Sequence, residues 1–390
     1  MKHFLFVVLF VIACSCTNEK QLLLEANNIS QNIKVQFAPD GREAIYHTTF
    51  YFNNNKLIVK GETTVPEAKL VLFTDLDELN YNLVDSLELL PEKSLKDKNW
   101  GLVNLSVVNL RAHSRHSAEL VTQAIMGTPV KVLKEEHGWY QIQTPDRYIA
   151  WVDRAAIALK NEEEIEAWRN SNRIISIPDF KLAKDIKQKE IVTDLVAGSI
   201  IEIERENQDT YNLILPDGRK IQIEKSNCEL FAEWKDREIN DATILTKTAK
   251  QFFGRPYLWG GTSSKGVDCS GFVKSVYFMN GIILARDASL QFLHGDTISV
   301  DQGYSKLLEG DLVFFGRAKT TEKPMKVTHV GMYVSKGEYI HSSGRVRINS
   351  FDPKTENFNN YRSVTWLGGR RVLTRVGEPG IIRVSEHPWY

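Results

Sequence analysis

Two neighbouring runs, Arg255-Pro256-Tyr257-Leu258-Trp259-Gly260-Gly261 and Asp268-Cys269-Ser270-Gly271-Phe272-Val273, decide how this chain is read. The first is a turn, because Pro256 fixes one φ angle and the glycine pair tolerates positive φ. Residues 262–266 form a polar loop. From Ser270 the apolar residues Phe272, Val273, Val276 and Tyr277 fall at helical spacing on one face. Cys269 therefore stands where a loop becomes a helix. Unpaired backbone N–H groups and the positive end of the helix dipole lie there, and both pull a thiol toward thiolate. A nucleophilic cysteine needs that placement. A small buried cysteine opening a core helix would look the same locally. The glycine-rich turn before Cys269 and the histidines after it favour the nucleophile.

A thiolate nucleophile needs a base. Thr328-His329-Val330-Gly331-Met332-Tyr333-Val334 and Glu338-Tyr339-Ile340-His341 both alternate at period two, as strands do. Lys336-Gly337 between them is a turn, so the pair predicts a hairpin that brings His329 and His341 near each other. One can act as base while the other holds its ring in the right tautomer. Zinc is the other chemistry open to one Cys and two His, but the close paired spacing of zinc ligands is missing. No metal or organic cofactor is implied.

Taken together, these residues resemble the NlpC-type cell-wall cysteine peptidases, which are papain-like. The matching features are Tyr257 with Trp259 to Gly261, Asp268 to Phe272, a Gly310-Asp311-Leu312 strand, His329 to Gly331, and His341. The resemblance covers residues 243–373. It implies Cys269 as nucleophile, His329 as general base and His341 as the polar residue orienting it. It also implies that the Tyr257 hydroxyl and the Cys269 backbone N–H stabilise the oxyanion, work suited to preorganised donors.

The chain has 390 residues, room for two to four domains, and its 49 Lys+Arg balance 49 Asp+Glu. No global field draws it to nucleic acid. Residues 1–16 read as a signal: a short positive start, an apolar run from Phe4 to Ala13 too short to span a bilayer, and a small-residue box. The box resembles a bacterial lipoprotein signal, which implies an exported protein held at a membrane by lipid on Cys14, with Cys16 as the alternative. An ordinary secretion signal is the other reading. The remaining cysteines, Cys228 and Cys269, are expected as free thiols, since a disulfide would disable the nucleophile.

The expected fold is α+β. Residues 17–35 read as a polar tether and 36–98 as a small α+β scaffold with strands flanking Asn53-Asn54-Asn55 and a helix opened by Pro66. Residues 99–158 show short strands with tight turns and resemble a bacterial SH3-like barrel. Residues 161–171 read as a solvated linking helix. A second, more diverged SH3-like barrel is expected over 173–232, with an Asp217-Gly218 hairpin turn. A catalytic domain follows over 241–375, with 317–327 as an exposed loop and an irregular tail to Tyr390.

Two SH3-like barrels ahead of such a catalytic domain resemble a narrower group, the γ-D-glutamyl-L-diamino acid endopeptidases of the dipeptidyl-peptidase VI type. These cut the D-Glu to diamino acid bond of peptidoglycan stem peptides bearing a free N-terminal L-Ala. An ammonium entering a closed pocket must meet carboxylates and acceptors, or its desolvation makes binding costly. The resemblance implies Glu119, Tyr148 and Asp287 for that duty, with Asp268 and Ser270 holding substrate backbone. The group often has Ser directly after its Arg-Asp pair; here Ala288 follows Arg286-Asp287, and Ser289 comes next. A solvated acid for Glu119 and a core tyrosine for Tyr148 are the plainer readings. An endopeptidase acting on intact wall and a non-catalytic wall-binding lipoprotein are the alternative functions.

Overall fold

The computed structural model describes residues 2–187, 189–239 and 241–390; the side chains of 2–18 and of Gln302 lie outside what is described. The chain divides into two compact units, 1–96 and 97–390. In the first, helix α1 (Lys2–Phe37) and helix α2 (Pro66–Asp77) accompany a three-stranded sheet of β1 (Tyr46–Asn53), β2 (Lys56–Thr63) and β3 (Leu83–Leu89), in the order β1-β2-β3. The expected tether at 17–35 is thus a correction: it is helix. Leu22, Ala26 and Ile33 are buried, and Ala26 and Ile33 join the core of Phe50, Leu57, Leu72 and Leu76. Their spacing of four and then seven residues is an apolar stripe on one helix face, diluted by polar neighbours.

The second unit begins with a barrel-like seven-stranded sheet: β4 (Trp100–Val103), β5 (Val107–Arg111), β6 (Leu120–Ile125), β7 (Pro129–Glu136), β8 (Trp139–Gln143), β9 (Ile149–Asp153) and β10 (Ile157–Lys160). Their order is β10-β4-β7-β8-β9-β5-β6. Helix α3 (Glu162–Asn170) follows, started by a capping box between Asn161 and Glu164. It is not a solvated connector. Ile165 and Trp168 are buried with Trp100, Ile200, Trp234, Ile283 and Val384, so this helix stands in a core shared by three sheets.

A second seven-stranded sheet contains β11 (Arg173–Ser176), β12 (Lys181–Lys184), β13 (Ile191–Leu195), β14 (Ile200–Glu206), β15 (Thr210–Ile214), β16 (Lys220–Glu224) and β17 (Cys228–Leu230). Short helices α4 (Phe231–Lys235) and α5 (Thr243–Gln251) lead to the β18 (Thr262–Ser263) and β19 (Gly266–Val267) hairpin and to helix α6 (Cys269–Phe278). Strand β20 (Ile282–Leu284), helix α7 (Ala288–Gln291) and β21 (Asp296–Ile298) follow. The chain then builds β22 (Leu312–Arg317), β23 (Lys326–Ser335), β24 (Glu338–Ser343) and β25 (Arg345–Ser350), helix α8 (Asn360–Val364) and β26 (Trp366–Arg371). The six-stranded order is β21-β26-β22-β23-β24-β25. Phe272, Val273, Val276 and Tyr277 of α6 bury against Leu312, Phe314, Val330 and Met332.

The tail is not irregular. Strand β27 (Ile381–Arg383) pairs with β20, Trp389 meets Trp100 edge-on at 5.2 Å, and Tyr390 stacks on Phe231 at 6.2 Å. The last residues therefore cross the catalytic domain and both barrels.

Candidate active site

The site is assembled where the first barrel meets the turn quoted above. Strand β6 runs alongside that turn: Thr262 N–H donates to Gln123 Oε1 at 3.1 Å, and Thr262 Oγ1 donates to the Gln123 carbonyl at 2.9 Å. Gly260 has φ +76°, and a Cβ there would lie 2.5 Å from the Leu120 carbonyl oxygen. Only glycine permits both the conformation and the approach.

Asp268 is the N-cap of α6. Its Oδ1 accepts from Gly271 N–H at 2.7 Å and its Oδ2 from Gly260 N–H at 3.0 Å, so one carboxylate ties the turn to the helix start. Arg286, 1% exposed, completes the knot. It donates to Asp268 Oδ2 at 2.6 Å, to Ser270 Oγ at 3.0 Å and to Thr122 Oγ1 of the barrel at 2.8 Å. The side chains expected to hold substrate at Asp268 and Ser270 are therefore engaged internally. Their backbone groups remain at the helix start.

Cys269 is the first residue of α6 and is buried. Helix placement alone predicts a lowered thiol pKa. Burial, with the Asp268 carboxylate adding to it, instead pushes the thiol up to about 11, outweighing the Val330 and Ser270 N–H groups and Arg286. The thiol is thus neutral at rest. His329 is also neutral at rest: burial, then His341 and Arg362, hold it well below 6.5. The Val330 N–H that reaches the thiol belongs to the residue after His329, so β23 carries both the histidine and the donor.

The tautomers follow from the bonds. Asn349 Nδ2 donates to the Asn357 carbonyl at 2.9 Å, which turns Asn349 Oδ1 toward His341 Nε2, 2.9 Å away. His341 Nε2 must then carry the proton, leaving Nδ1 as acceptor. His329 Nε2 lies 2.7 Å from that Nδ1 and donates to it. The lone pair of His329 is left on Nδ1, the nitrogen free to take the thiol proton. Asn349 was missed in the sequence. The available signal was register: β25 pairs Asn349 with Tyr339, two residues before His341, placing them as diagonal cross-strand neighbours.

The other expected residues are distributed as follows. Tyr257, half-buried, lines a cleft with Thr328, His329 and Arg362, and burial with Cys269 and Asp268 nearby raises its hydroxyl pKa. Glu119 is exposed yet accepts from Trp259 Nε1 of the turn at 2.8 Å. Tyr148 is buried in the barrel and lies in the field of Arg286, as does Asp287, 4.0 Å from its guanidinium. Ala288, in the place of the group's serine, packs into the catalytic core, and Ser289 is half-buried beside it. Cys228 and Cys269 are free thiols. Among the described residues no cluster suits a metal ion. The side chains of Cys14 and Cys16 lie outside those described, and no described helix is long and apolar enough to cross a membrane.

Residues 254–365 match the NlpC/P60 family, and residues 110–157 match the bacterial dipeptidyl-peptidase SH3 domain. A γ-D-glutamyl-L-lysine dipeptidyl-peptidase of Bacillus cereus is 29% identical over 57% of this chain and 67% of its own length. Dipeptidyl-peptidase 6 of Lysinibacillus sphaericus is 28% identical over 64% of this chain and 91% of its own. An NlpC/P60 family protein of B. cereus, solved by crystallography, shares the fold with TM-score 0.59 at 24% identity, over 70% of this chain and 99% of its own. The chain thus carries a cysteine peptidase domain of the NlpC/P60 family, joined to a bacterial dipeptidyl-peptidase SH3 domain.

Proposed function

We propose that the protein hydrolyses the γ-D-Glu–L-diamino acid bond of peptidoglycan stem peptides that carry a free N-terminal L-Ala. The observation behind this reading is the barrel wall itself: Glu119 bonded to Trp259 of the catalytic turn, with Asp287 and Tyr148 around Arg286. Those groups put negative charge and acceptors beside the catalytic turn, where an ammonium can be held. The names of the two dipeptidyl-peptidase relatives point the same way.

The chemistry runs from the geometry. His329 Nδ1 takes the Cys269 proton as the thiolate attacks the γ-carbonyl carbon. The Cys269 N–H and the Tyr257 hydroxyl, raised in pKa and so still protonated, receive the developing oxyanion. The imidazolium then protonates the departing amine, leaving a thioester. Water, activated by His329, hydrolyses that thioester and frees L-Ala-D-Glu. Neutral thiol and neutral imidazole at rest mean that the proton moves as substrate excludes water and the carbonyl is presented.

Incubation with L-Ala-γ-D-Glu-L-Lys and its N-acetylated form tests the reading. Cleavage of the free amine alone is expected. Equal cleavage of both removes the amine pocket and leaves a broader wall endopeptidase; cleavage of neither, with sacculus binding intact, leaves a binding protein.

The apolar run from Phe4 to Ala13, ended by a small-residue cysteine box, supports a lipid anchor on Cys14, or on Cys16, at the cell envelope. Mass spectrometry of the N-terminal peptide from cells identifies the modified cysteine, and an unmodified N-terminus overturns the anchor.

A further inference from the structure

The catalytic machinery leaves one cation of the cleft unused. Arg362, on α8, lines a cleft of about 300 Å³ together with Tyr257, Thr328, His329 and Ser343. Its guanidinium is partly withdrawn from water, with its Cζ 5.4 Å from the Phe315 ring and 5.5 Å from the Tyr361 ring. Among the described residues no carboxylate pairs with it. The neighbouring charge is another cation, Arg347, whose Nε is buried without a partner. Burial lowers the pKa of Arg362, and the Cys269 position opposes that fall, which places the guanidinium within electrostatic reach of the nucleophile.

The charges around the site differ in sign from one element to another. Glu119 is bonded to Trp259 of the catalytic turn, and Asp287 and Tyr148 lie around Arg286. Arg362 lines the cleft with His329, and Arg347 pairs with His341 across β24 and β25. A tripeptide with a free amine on L-Ala and a free α-carboxylate on its diamino acid has the complementary polarity. Its carboxylate carbon lies two bonds from the scissile nitrogen, on the leaving side. A partly desolvated guanidinium without a counter-charge is costly in the empty protein and is compensated when a carboxylate docks on it, bidentate for preference.

We propose that Arg362 binds the α-carboxylate of the departing diamino acid, so that the enzyme selects stem tripeptides over stems extended beyond that residue. This rests on the substrate reading above.

The test compares L-Ala-γ-D-Glu-L-Lys with its C-terminal amide, on wild type and on R362A and R362K. A charge-assisted, partly buried contact sets the scale, so wild type should lose roughly 10- to 100-fold in kcat/KM on the amide. R362A should lose a similar factor on the acid and no longer distinguish the two peptides, while R362K keeps part of the preference. Equal wild-type rates on acid and amide overturn the proposal, as does an R362A that is slower on both but still prefers the acid. The same pair is titrated calorimetrically into C269A and into C269A/R362A. There the carboxylate preference is read without turnover, and thermal melts of R362A separate misfolding from lost recognition. If wild type cleaves neither peptide, the substrate reading fails; if C269A then also binds acid and amide alike, the Arg362 proposal fails with it, whereas tighter binding of the acid upholds it.

Discussion

Asn349 decides which nitrogen of His329 carries the lone pair. Replacing it with Ala frees His341 to flip tautomer or rotate, and the His329 lone pair is then no longer held on Nδ1. We expect Asn349→Ala to lower kcat by roughly 10- to 100-fold, short of the ~10²–10⁴ that a general base supplies, with little change in KM. Asn349→Asp makes the sharper test. A carboxylate against His341 Nε2 favours the charged ring, and His341, held down at about 4 mainly by burial, would rise. Protonated His341 cannot accept from His329, so the acid limb of the kcat profile should move to higher pH. An unmoved limb would mean that Asn349 only packs. Cys269, His329 and His341 could be read from sequence because each stands inside a short local pattern: a helix start, and a hairpin with Lys336-Gly337 at its tip. Asn349, Arg286 and Arg362 could not, because their roles arise from register and from contacts between strands and loops far apart in the chain.

At the scale of elements, the start of α6 is fixed by the buried Asp268–Arg286 pair more than by helix propensity. The arginine also holds Thr122 of β6, so one guanidinium fixes both the nucleophile helix and the barrel wall. Arg286→Met leaves the Asp268 carboxylate buried and uncompensated, which should cost about 3–5 kcal/mol in chemical denaturation. Thr122→Val, which removes one acceptor from that buried guanidinium, should cost about 1.5–3 kcal/mol. Adding Asp268→Asn to Arg286→Met should restore part of the loss, since the unpaired charge goes with it. Equal stability of wild type and Arg286→Met would show that the pair is replaceable by packing. The elements that sequence reading placed poorly share a cause. Residues 17–35 are rich in polar side chains and 161–171 in charge, and their apolar stripes, Leu22-Ala26-Ile33 and Ile165-Trp168, gain meaning only from partners elsewhere in the chain. The terminal strand pairs with β20, nearly a hundred residues earlier, a partnership that no local pattern announces.

Across the whole molecule, burial of neutral histidines sets how the fold responds to acid. His294, His329, His341 and His387 all have pKa values lowered from 6.5, each chiefly by burial. Two lie in the active site, and His387, in the terminal segment, stands 3.0 Å from the Pro145 carbonyl of the first barrel. Above pH 6.5 neither folded nor unfolded chain protonates them, and stability is fully present. As pH falls below 6.5 the unfolded chain takes up protons that the folded chain refuses, so stability declines until the folded values are reached, near 4 for His341. The surface carboxylates with lowered pKa, such as Asp296 and Glu224, have ordinary values of 3.8 and 4.5 and lose their contribution only below these. The interval just below pH 6.5 therefore belongs to the histidines. Thermal melting from about pH 7.5 to about pH 4.5 should show a flat midpoint above 6.5 and a fall beneath it, to which His341 alone contributes on the order of 3 kcal/mol. His341→Gln, which cannot take the proton, should lower the midpoint at neutral pH and flatten the fall. An identical slope in the variant would assign the acid sensitivity to His294, His329 and His387, and a wild-type midpoint independent of pH would show that protons enter the folded core without cost.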